Sequence, residues 1–486
     1  MADAVDKRID GVLGEIVAAK RIDVAARLGP ATLAELTARA SPTKCSLAAA
    51  LGQPGARFIM EFKRASPSEG AIRDRADPAA IARGYAGAAD AISVLTDAAY
   101  FGGSFDDLIA VRAVFDGPIL CKDFVVDPRQ VAEARLHGAD AVLVMLSVLG
   151  DAEARDCLAA AAALGMDALV EAHDEVEVRR AVALGAGIIG INNRDLRTLT
   201  VDLATTERLA HLVPPGRILI SESGIAARAD VERLARHADA FLVGSSLMRS
   251  TDPALAACAL AFGRVKVCGI TGREDLGAAR AAGASFAGMI VVPDTPRFIS
   301  PQVARNLAAK AELPVVGVFR NAARHDVAMF ANDANCAAVQ LHGSEDASYI
   351  NALRDELPDN CEVWGAVAVA DTIGQARAGA SRTLFDTAVA GRCGGTGQAF
   401  DWRRLTGRTD LADGIVAGGL TSGNAAQAAQ VGAWALDVCS GVEGEPGVKD
   451  PAKLAAFFDA LRVPVRGERS FPQGYDLPVA AGRGAA

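Results

Sequence analysis

Several short apolar runs in the first half of this 486-residue chain each end in side chains that can move protons or hold anions. Glu61-Phe62-Lys63 closes one run, Cys121-Lys122-Asp123-Phe124 a second and Glu171-Ala172-His173 a third. Two more lead into Asn192-Asn193-Arg194-Asp195 and Ser221-Glu222-Ser223-Gly224, and a last one into Gly244-Ser245-Ser246. Two lysines and two glutamates gathered in one mouth shift one another's pKa values and can exchange protons with a substrate. The Ser/Gly turns offer backbone N–H groups and hydroxyls to a phosphate, helped by the helix start that follows. A lone charge after a strand is usually only solvated. Here the placements agree across several run ends, which favours a shared site.

The second half repeats the logic with other groups. Cys268 ends the first run of a new series, and Asp386 ends the sixth, ahead of the loop Gly394-Gly395-Thr396-Gly397. Gly418-Gly419 and Cys439-Ser440-Gly441 follow the seventh and eighth. An activated thiol facing a carboxyl across a mouth makes a base and an acid. A free cysteine on its own is more often buried and inert. A metal held by Cys268, Cys439 and His342 lacks the short ligand spacing of a zinc site, and no metal is expected.

The elements that must position these groups recur with a steady beat. Eight strand-like runs, from Phe58-Ile59-Met60-Glu61 to Ala240-Phe241-Leu242-Val243, alternate with helical stretches, and eight more follow from Val265-Lys266-Val267-Cys268 to the run ending at Val438. The runs are continuously apolar rather than alternating, as in parallel strands buried on both faces. Eight strand–helix repeats imply a closed barrel. The fold expected is therefore α/β, with two consecutive (β/α)8 barrels and extra helices over about 12–36 ahead of the first. Domains are expected at 1–262 and 263–463. Gly263-Arg264 is so short a junction that the halves should pack closely. Residues 464–486, rich in Gly, Pro and Ala, read as a disordered tail or surface strap.

Composition narrows the partners. The net charge of −9 argues against nucleic acid but leaves room for small anionic substrates at a locally positive site. The nine cysteines show no CxxC pair, which fits reduced thiols in the cytoplasm. No signal peptide is seen at the start, and no apolar run reaches the roughly 20 residues of a membrane span.

The first half, over about 12–260, resembles indole-3-glycerol-phosphate synthase. The likeness rests on Glu61-Phe62-Lys63-Arg64-Ala65-Ser66-Pro67-Ser68, Ser93-Val94-Leu95-Thr96-Asp97, Leu120-Cys121-Lys122-Asp123-Phe124, Gly190-Ile191-Asn192-Asn193-Arg194-Asp195-Leu196 and Ser221-Glu222-Ser223-Gly224-Ile225. That family closes an indole ring on a carboxyphenylamino-deoxyribulose phosphate, losing CO2 and water. The resemblance implies that Lys122 is the general acid. Lys63 would hold the anthranilate carboxylate or supply a proton in the dehydration step, Glu171 would handle the dehydration proton, and Glu61 and Asn192 would position these groups. Arg194, Ser66 and Phe124 would contact the substrate, and Ser223, Gly224, Gly244 and Ser245 would cradle its phosphate. Glu69 departs from the pattern, which often carries a lysine there.

The second half, over about 264–462, resembles phosphoribosylanthranilate isomerase. It does so through Lys266-Val267-Cys268-Gly269-Ile270-Thr271, Pro296-Arg297-Phe298-Ile299-Ser300-Pro301, Val318-Phe319-Arg320-Asn321, Val339-Gln340-Leu341-His342-Gly343, the 394–397 loop with Phe400-Asp401-Trp402, and 437–443. That family opens a ribosyl amine and rearranges it to an aminoketose. The resemblance implies Asp386 as the acid on the ring oxygen and Cys268 as the base at C2. Arg297 would contact the substrate, and Thr396, Gly397, Gly419 and Ser440 would bind phosphate. His342 would shape the site rather than act as a base. Cys439 stands where the motif usually has another small polar residue.

Together these imply a bifunctional enzyme of tryptophan biosynthesis, with small phosphosugar–anthranilate substrates, no cofactor, and a monomer as the simplest state. One rival is a different pair of phosphosugar barrels, such as epimerases or histidine-pathway isomerases. Those would need metal ligands or paired aspartates, and the Lys63, Lys122 and Glu171 set argues against them. The other rival, a pseudoenzyme with one barrel as scaffold, would lack an acid or base in one half, and neither half does.

Overall fold

The computed structural model describes residues 11–467 apart from 371, 390–391 and 394–398. Thr396 and Gly397 therefore lie outside the described residues, as does 468–486 of the expected tail.

The first eight strands are β1 (Arg57–Phe62), β2 (Ala91–Leu95), β3 (Ile119–Lys122), β4 (Ala141–Met145), β5 (Asp167–Ala172), β6 (Ile188–Asn192), β7 (Ile218–Glu222) and β8 (Ala240–Val243). All pair in parallel, and β1 bonds to both β2 and β8, so the sheet closes on itself. Nearly every strand residue is buried, because side chains fill the lumen on one face and meet the helix ring on the other.

The second series is β9 (Arg264–Cys268), β10 (Phe286–Ile290), β11 (Val315–Phe319), β12 (Ala338–Leu341), β13 (Glu362–Val369), β14 (Arg382–Val389), β15 (Ile415–Val416) and β16 (Ala435–Val438). These also pair in parallel around a ring closed by β13 with β14 and β9 with β16. At its base Trp364 and Trp434 pack edge to face at 5.9 Å, and the Arg382 guanidinium lies over Trp434.

The expected leading helices form as α1 (Val12–Leu28), broken at Gly29-Pro30, followed by short helices Leu33–Arg39 and Leu47–Leu51. The second of the three starts on Thr32, whose side chain and Glu35 form a reciprocal capping box. Val12, Leu13 and Ile16 of α1 reach into the first mouth.

Helix α2 (Pro253–Phe262) runs through Gly263 straight into β9. Helix α3 (Pro451–Asp459) closes the second barrel, and its Phe458 meets Phe262 at 5.3 Å. The chain beyond α3 returns to the first barrel. Ala56 donates its backbone N–H to the Val463 carbonyl at 2.8 Å, and Arg462 pairs with Asp90 at 3.1 Å. Arg466 pairs with Asp239 at 2.9 Å, and Val465 is buried. Residues 464–467 are thus a docked strap.

Candidate active sites

The C-terminal ends of β1–β8 surround a cavity of about 300 Å³, and every first-half candidate lines it. These are Glu61, Lys63, Ser66, Lys122, Phe124 and Glu171, together with Asn192, Arg194, Ser223, Gly224, Gly244 and Ser245. Lys63 pairs with Glu61 at 2.9 Å. Lys122 Nζ stands 3.1 Å from Glu171 and 3.5 Å from Glu222. Asn192 Nδ2 donates to Glu171 Oε1 at 3.1 Å, which leaves that carboxylate little freedom to turn. His173 Nε2 adds an ionic contact to the same oxygen at 3.2 Å, while its Nδ1 lies 3.1 Å from Glu177.

The local fields divide the protons. Burial alone would raise Glu171, but Lys122, His173 and Asn192 overcome it and hold the group ionised. Burial works against a charged Lys122, yet Glu171, Glu222 and Glu61 outweigh it and keep the ammonium. Burial and the neighbouring Glu171 charge push Glu222 up to about 8. Burial opposes His173 too, but Glu171 and Glu177 raise it to about 10. At neutral pH the mouth holds an anionic Glu171, a cationic Lys122 and a protonated Glu222, the separation that lets one site run acid and base steps together.

Glu222 is the group that sequence reasoning passed over as part of a phosphate turn. Its signal was a carboxylate ending an apolar strand. In register it lies beside Asn192, and its Oε1 has no hydrogen-bond partner among the described residues. Gly190 makes room for it: a Cβ there would sit 2.0 Å from that oxygen. At the turn after β7, Ser223 (φ 68) and Gly224 (φ 85) both adopt the left-handed conformation, and both line the cavity. Phe124 and Phe101, 6.1 Å apart, form an aromatic wall suited to an anthranilate ring.

Glu69 now has a visible role. The hairpin Ala65–Ser66 with Gly70–Ala71 holds it over the mouth, where its carboxylate lies 3.0 Å from Arg249 and 3.6 Å from Arg194. All three line the cavity.

In the second mouth Cys268 is buried at the end of β9. The Cys439 thiol hydrogen-bonds it, and Lys266 adds positive charge; together they outweigh burial and bring it down to about 7. Lys266 Nζ is itself fully buried and pairs with Asp437 at 2.8 Å. Asp386 ends the barrel part of β14, where burial and the Asp437 charge push it up to about 6. His342 Nε2 is 3.7 Å from Asp386, but burial and the charges of Lys266, Arg377 and Arg320 lower it to about 4, so the imidazole is neutral. The Lys266–Asp437 pair was not among the residues singled out from sequence, since a charge inside a strand run says nothing of its partner across the sheet.

Arg297 is held by Glu443 through bonds of 2.7 and 2.8 Å, and Glu443 also takes Lys449 at 2.8 Å. Gly419 (φ 62) turns the chain after β15, and Ser440 opens a short 3-10 turn after β16. The structure thus gathers Cys268, Arg297, His342, Asp386, Gly419 and Ser440 at one barrel end.

Comparison with known proteins gives a match for each half. Residues 13–260 match the model of indole-3-glycerol phosphate synthase, and 265–460 match that of N-(5'phosphoribosyl)anthranilate (PRA) isomerase. The tryptophan biosynthesis protein TrpCF of Salmonella typhi is 46% identical over 452 residues, covering 93% of this chain and 99% of that protein. TrpCF of Yersinia pestis is 45% identical over 464 residues, covering 95% and 97%. A solved phosphoribosyl anthranilate isomerase from Thermus thermophilus is 33% identical, with a TM-score of 0.35, covering 41% of this chain and 98% of its own.

Proposed function

Because the chain belongs to the TrpCF family of bifunctional tryptophan-biosynthesis enzymes, we propose that its two mouths run successive steps through the residues assembled above. The C-terminal barrel isomerises N-(5-phosphoribosyl)anthranilate to 1-(2-carboxyphenylamino)-1-deoxyribulose 5-phosphate. The N-terminal barrel converts that product to indole-3-glycerol phosphate, CO2 and water.

In the isomerase mouth Asp386, whose hold on a proton is strengthened by burial and the Asp437 charge, gives its proton to the furanose oxygen and opens the ring to an imine. Cys268, as thiolate, removes the C2 proton, and the enolamine relaxes to the ketone. Lys266 compensates the thiolate from below, while neutral His342 packs against the acid without competing for its proton. Gly419 and Ser440, with Thr396 and Gly397, take the phosphate, and Arg297 faces the substrate from its Glu443 tether.

In the synthase mouth Lys63 takes the anthranilate carboxylate and Lys122 protonates the ketone as the aryl carbon attacks. CO2 leaves. Glu171 accepts the ring proton, and Glu222, already carrying one, helps the hydroxyl depart as water. Glu61 and Asn192 fix Lys63 and Glu171. Arg194, Ser66 and Phe124 hold the substrate body, and Ser223, Gly224, Gly244 and Ser245 its phosphate. The observation that carries this reading is the Lys122, Glu171 and Glu222 cluster in one cavity.

Separate assays test the division. Cys268→Ala or Asp386→Ala should cut isomerisation about 10²–10⁴-fold and leave ring closure on supplied aminoketose unchanged, and Lys122→Met should do the converse. Loss of both activities in any one variant would contradict two independent sites.

A further inference from the structure

Strand register places two thiols side by side at the isomerase mouth. β9 and β16 pair in parallel, with Lys266 opposite Asp437 and Val267 opposite Val438. One step further along, Cys268 lies next to Cys439. Side chains alternate along a strand, so both thiols share the inward face on which Lys266 meets Asp437 at 2.8 Å. Neighbouring strands run about 4.7–4.9 Å apart, inside the roughly 4.4–6.8 Å Cα separation that a disulfide spans. The glycine backbones beside them confirm the crowding: a Cβ on Gly269 would lie 3.1 Å from Cys439 Sγ, and one on Gly288 would lie 2.9 Å from Cys268 Sγ.

We propose that Cys268 and Cys439 form an oxidative modification site, a dithiol that a peroxide closes to a disulfide, shutting the isomerase mouth while the synthase mouth of the same chain keeps working. The loss of activity rests on Cys268 being the base; the disulfide itself does not. The Cys268 thiolate attacks one peroxide oxygen, the O–O bond breaks, and sulfur is oxidised by two electrons to the sulfenic acid as hydroxide leaves. Cys439 sulfur then attacks the sulfenic sulfur. The S–S bond forms, and hydroxide departs with the Cys439 proton as water. A dithiol reductant reverses the bond. A reactive thiolate beside a resolving thiol is the arrangement this chemistry needs. Cys336 and Cys361 also adjoin each other, but burial pushes both thiols up, to about 12 and about 11, so that pair has no thiolate to start the reaction. Cys439 is raised too, by Cys268 and burial, and serves only to resolve the sulfenic acid that Cys268 forms.

The test uses the full chain with hydrogen peroxide. Both activities are followed, the remaining thiols are then blocked, and the digest is mapped by mass. The expected result is selective loss of isomerase, a linked Cys268–Cys439 peptide lighter by about 2 Da, and recovery of activity with dithiol. In Cys439→Ser, each activity being scaled to that variant's own untreated value, the linked peptide disappears. Inactivation there becomes irreversible, because an unresolved sulfenic acid runs on to the sulfinic acid. Absence of the linked peptide in the parent chain, or equal dithiol recovery in Cys439→Ser, would overturn the proposal. A linked peptide with full isomerase activity would instead overturn Cys268 as the base.

Discussion

A thiol that gives up its proton early and a carboxyl that keeps its own late set the pH behaviour of the isomerase. With Cys268 brought down to about 7 and Asp386 pushed up to about 6, the working form carries thiolate and carboxylic acid together. That form peaks at the midpoint of the two values, so isomerase kcat/KM should trace a narrow bell centred at about pH 6.5. A plateau extending to pH 9 would contradict the paired assignment. At the other mouth Glu69 occupies Arg194 and Arg249, the same cations an anionic substrate would meet. Glu69→Gln should therefore lower the synthase KM, by at most about fivefold given the modest worth of partly exposed pairs, and the effect should shrink with added salt. A higher KM in that variant would show that Glu69 serves to fasten the loop instead. Most of these residues were legible because they end apolar runs. Glu222 was obscured because the Ser and Gly on either side fit a phosphate turn, and what raises its proton affinity is burial in the closed barrel and the charge of Glu171, two strands away across β6.

The elements do more than hold the mouths open. Helix α1 covers the first mouth and is anchored by Lys20, which is buried and pairs with Asp97 at 2.7 Å and Asp123 at 2.8 Å. Asp123 directly follows Lys122, so the clamp ties the covering helix to the loop that carries Lys122. Lys20→Met would leave two buried carboxylates without their cation, a loss of about 3–5 kcal/mol by the behaviour of broken buried pairs. Synthase activity should fall while isomerase in the same chain stays constant; an equal fall in both would mean general unfolding rather than a local clamp. The strands and their barrel closure were readable because burial on both faces leaves a continuous apolar signature. The clamp was not, since its members are scattered from residue 20 to residue 123 and meet only once the barrel has formed.

Seen as one molecule, the two barrels join at their bases. Asp90 and Asp239 sit at the starts of first-barrel strands and take Arg462 and Arg466, Asp90 also holding Arg57, while Gly87 abuts Arg280 and Ala281 just before β10. Both mouths lie at the opposite strand ends, and the expected route of the aminoketose from one to the other is through solvent. Excess unlabelled aminoketose should then dilute label passing from phosphoribosylanthranilate to indole product in full proportion; protection of the label would show a direct path. Deleting residues from 462 onward should destabilise the first barrel although its own sequence is intact, seen as a lower Tm for loss of synthase activity, whereas an unchanged Tm would show the strap to be incidental. The short junction at Gly263-Arg264 foretold close packing, but not this strap, because nothing local in 462–467 names its distant carboxylates. The most direct test of the whole account is a mass-spectrometric time course on the intact chain, with phosphoribosylanthranilate as sole substrate, EDTA present and no cofactor added. Transient aminoketose phosphate followed by indole-3-glycerol phosphate and CO2 is the predicted result. Aminoketose that accumulates without indole product, or no conversion at all, would contradict it.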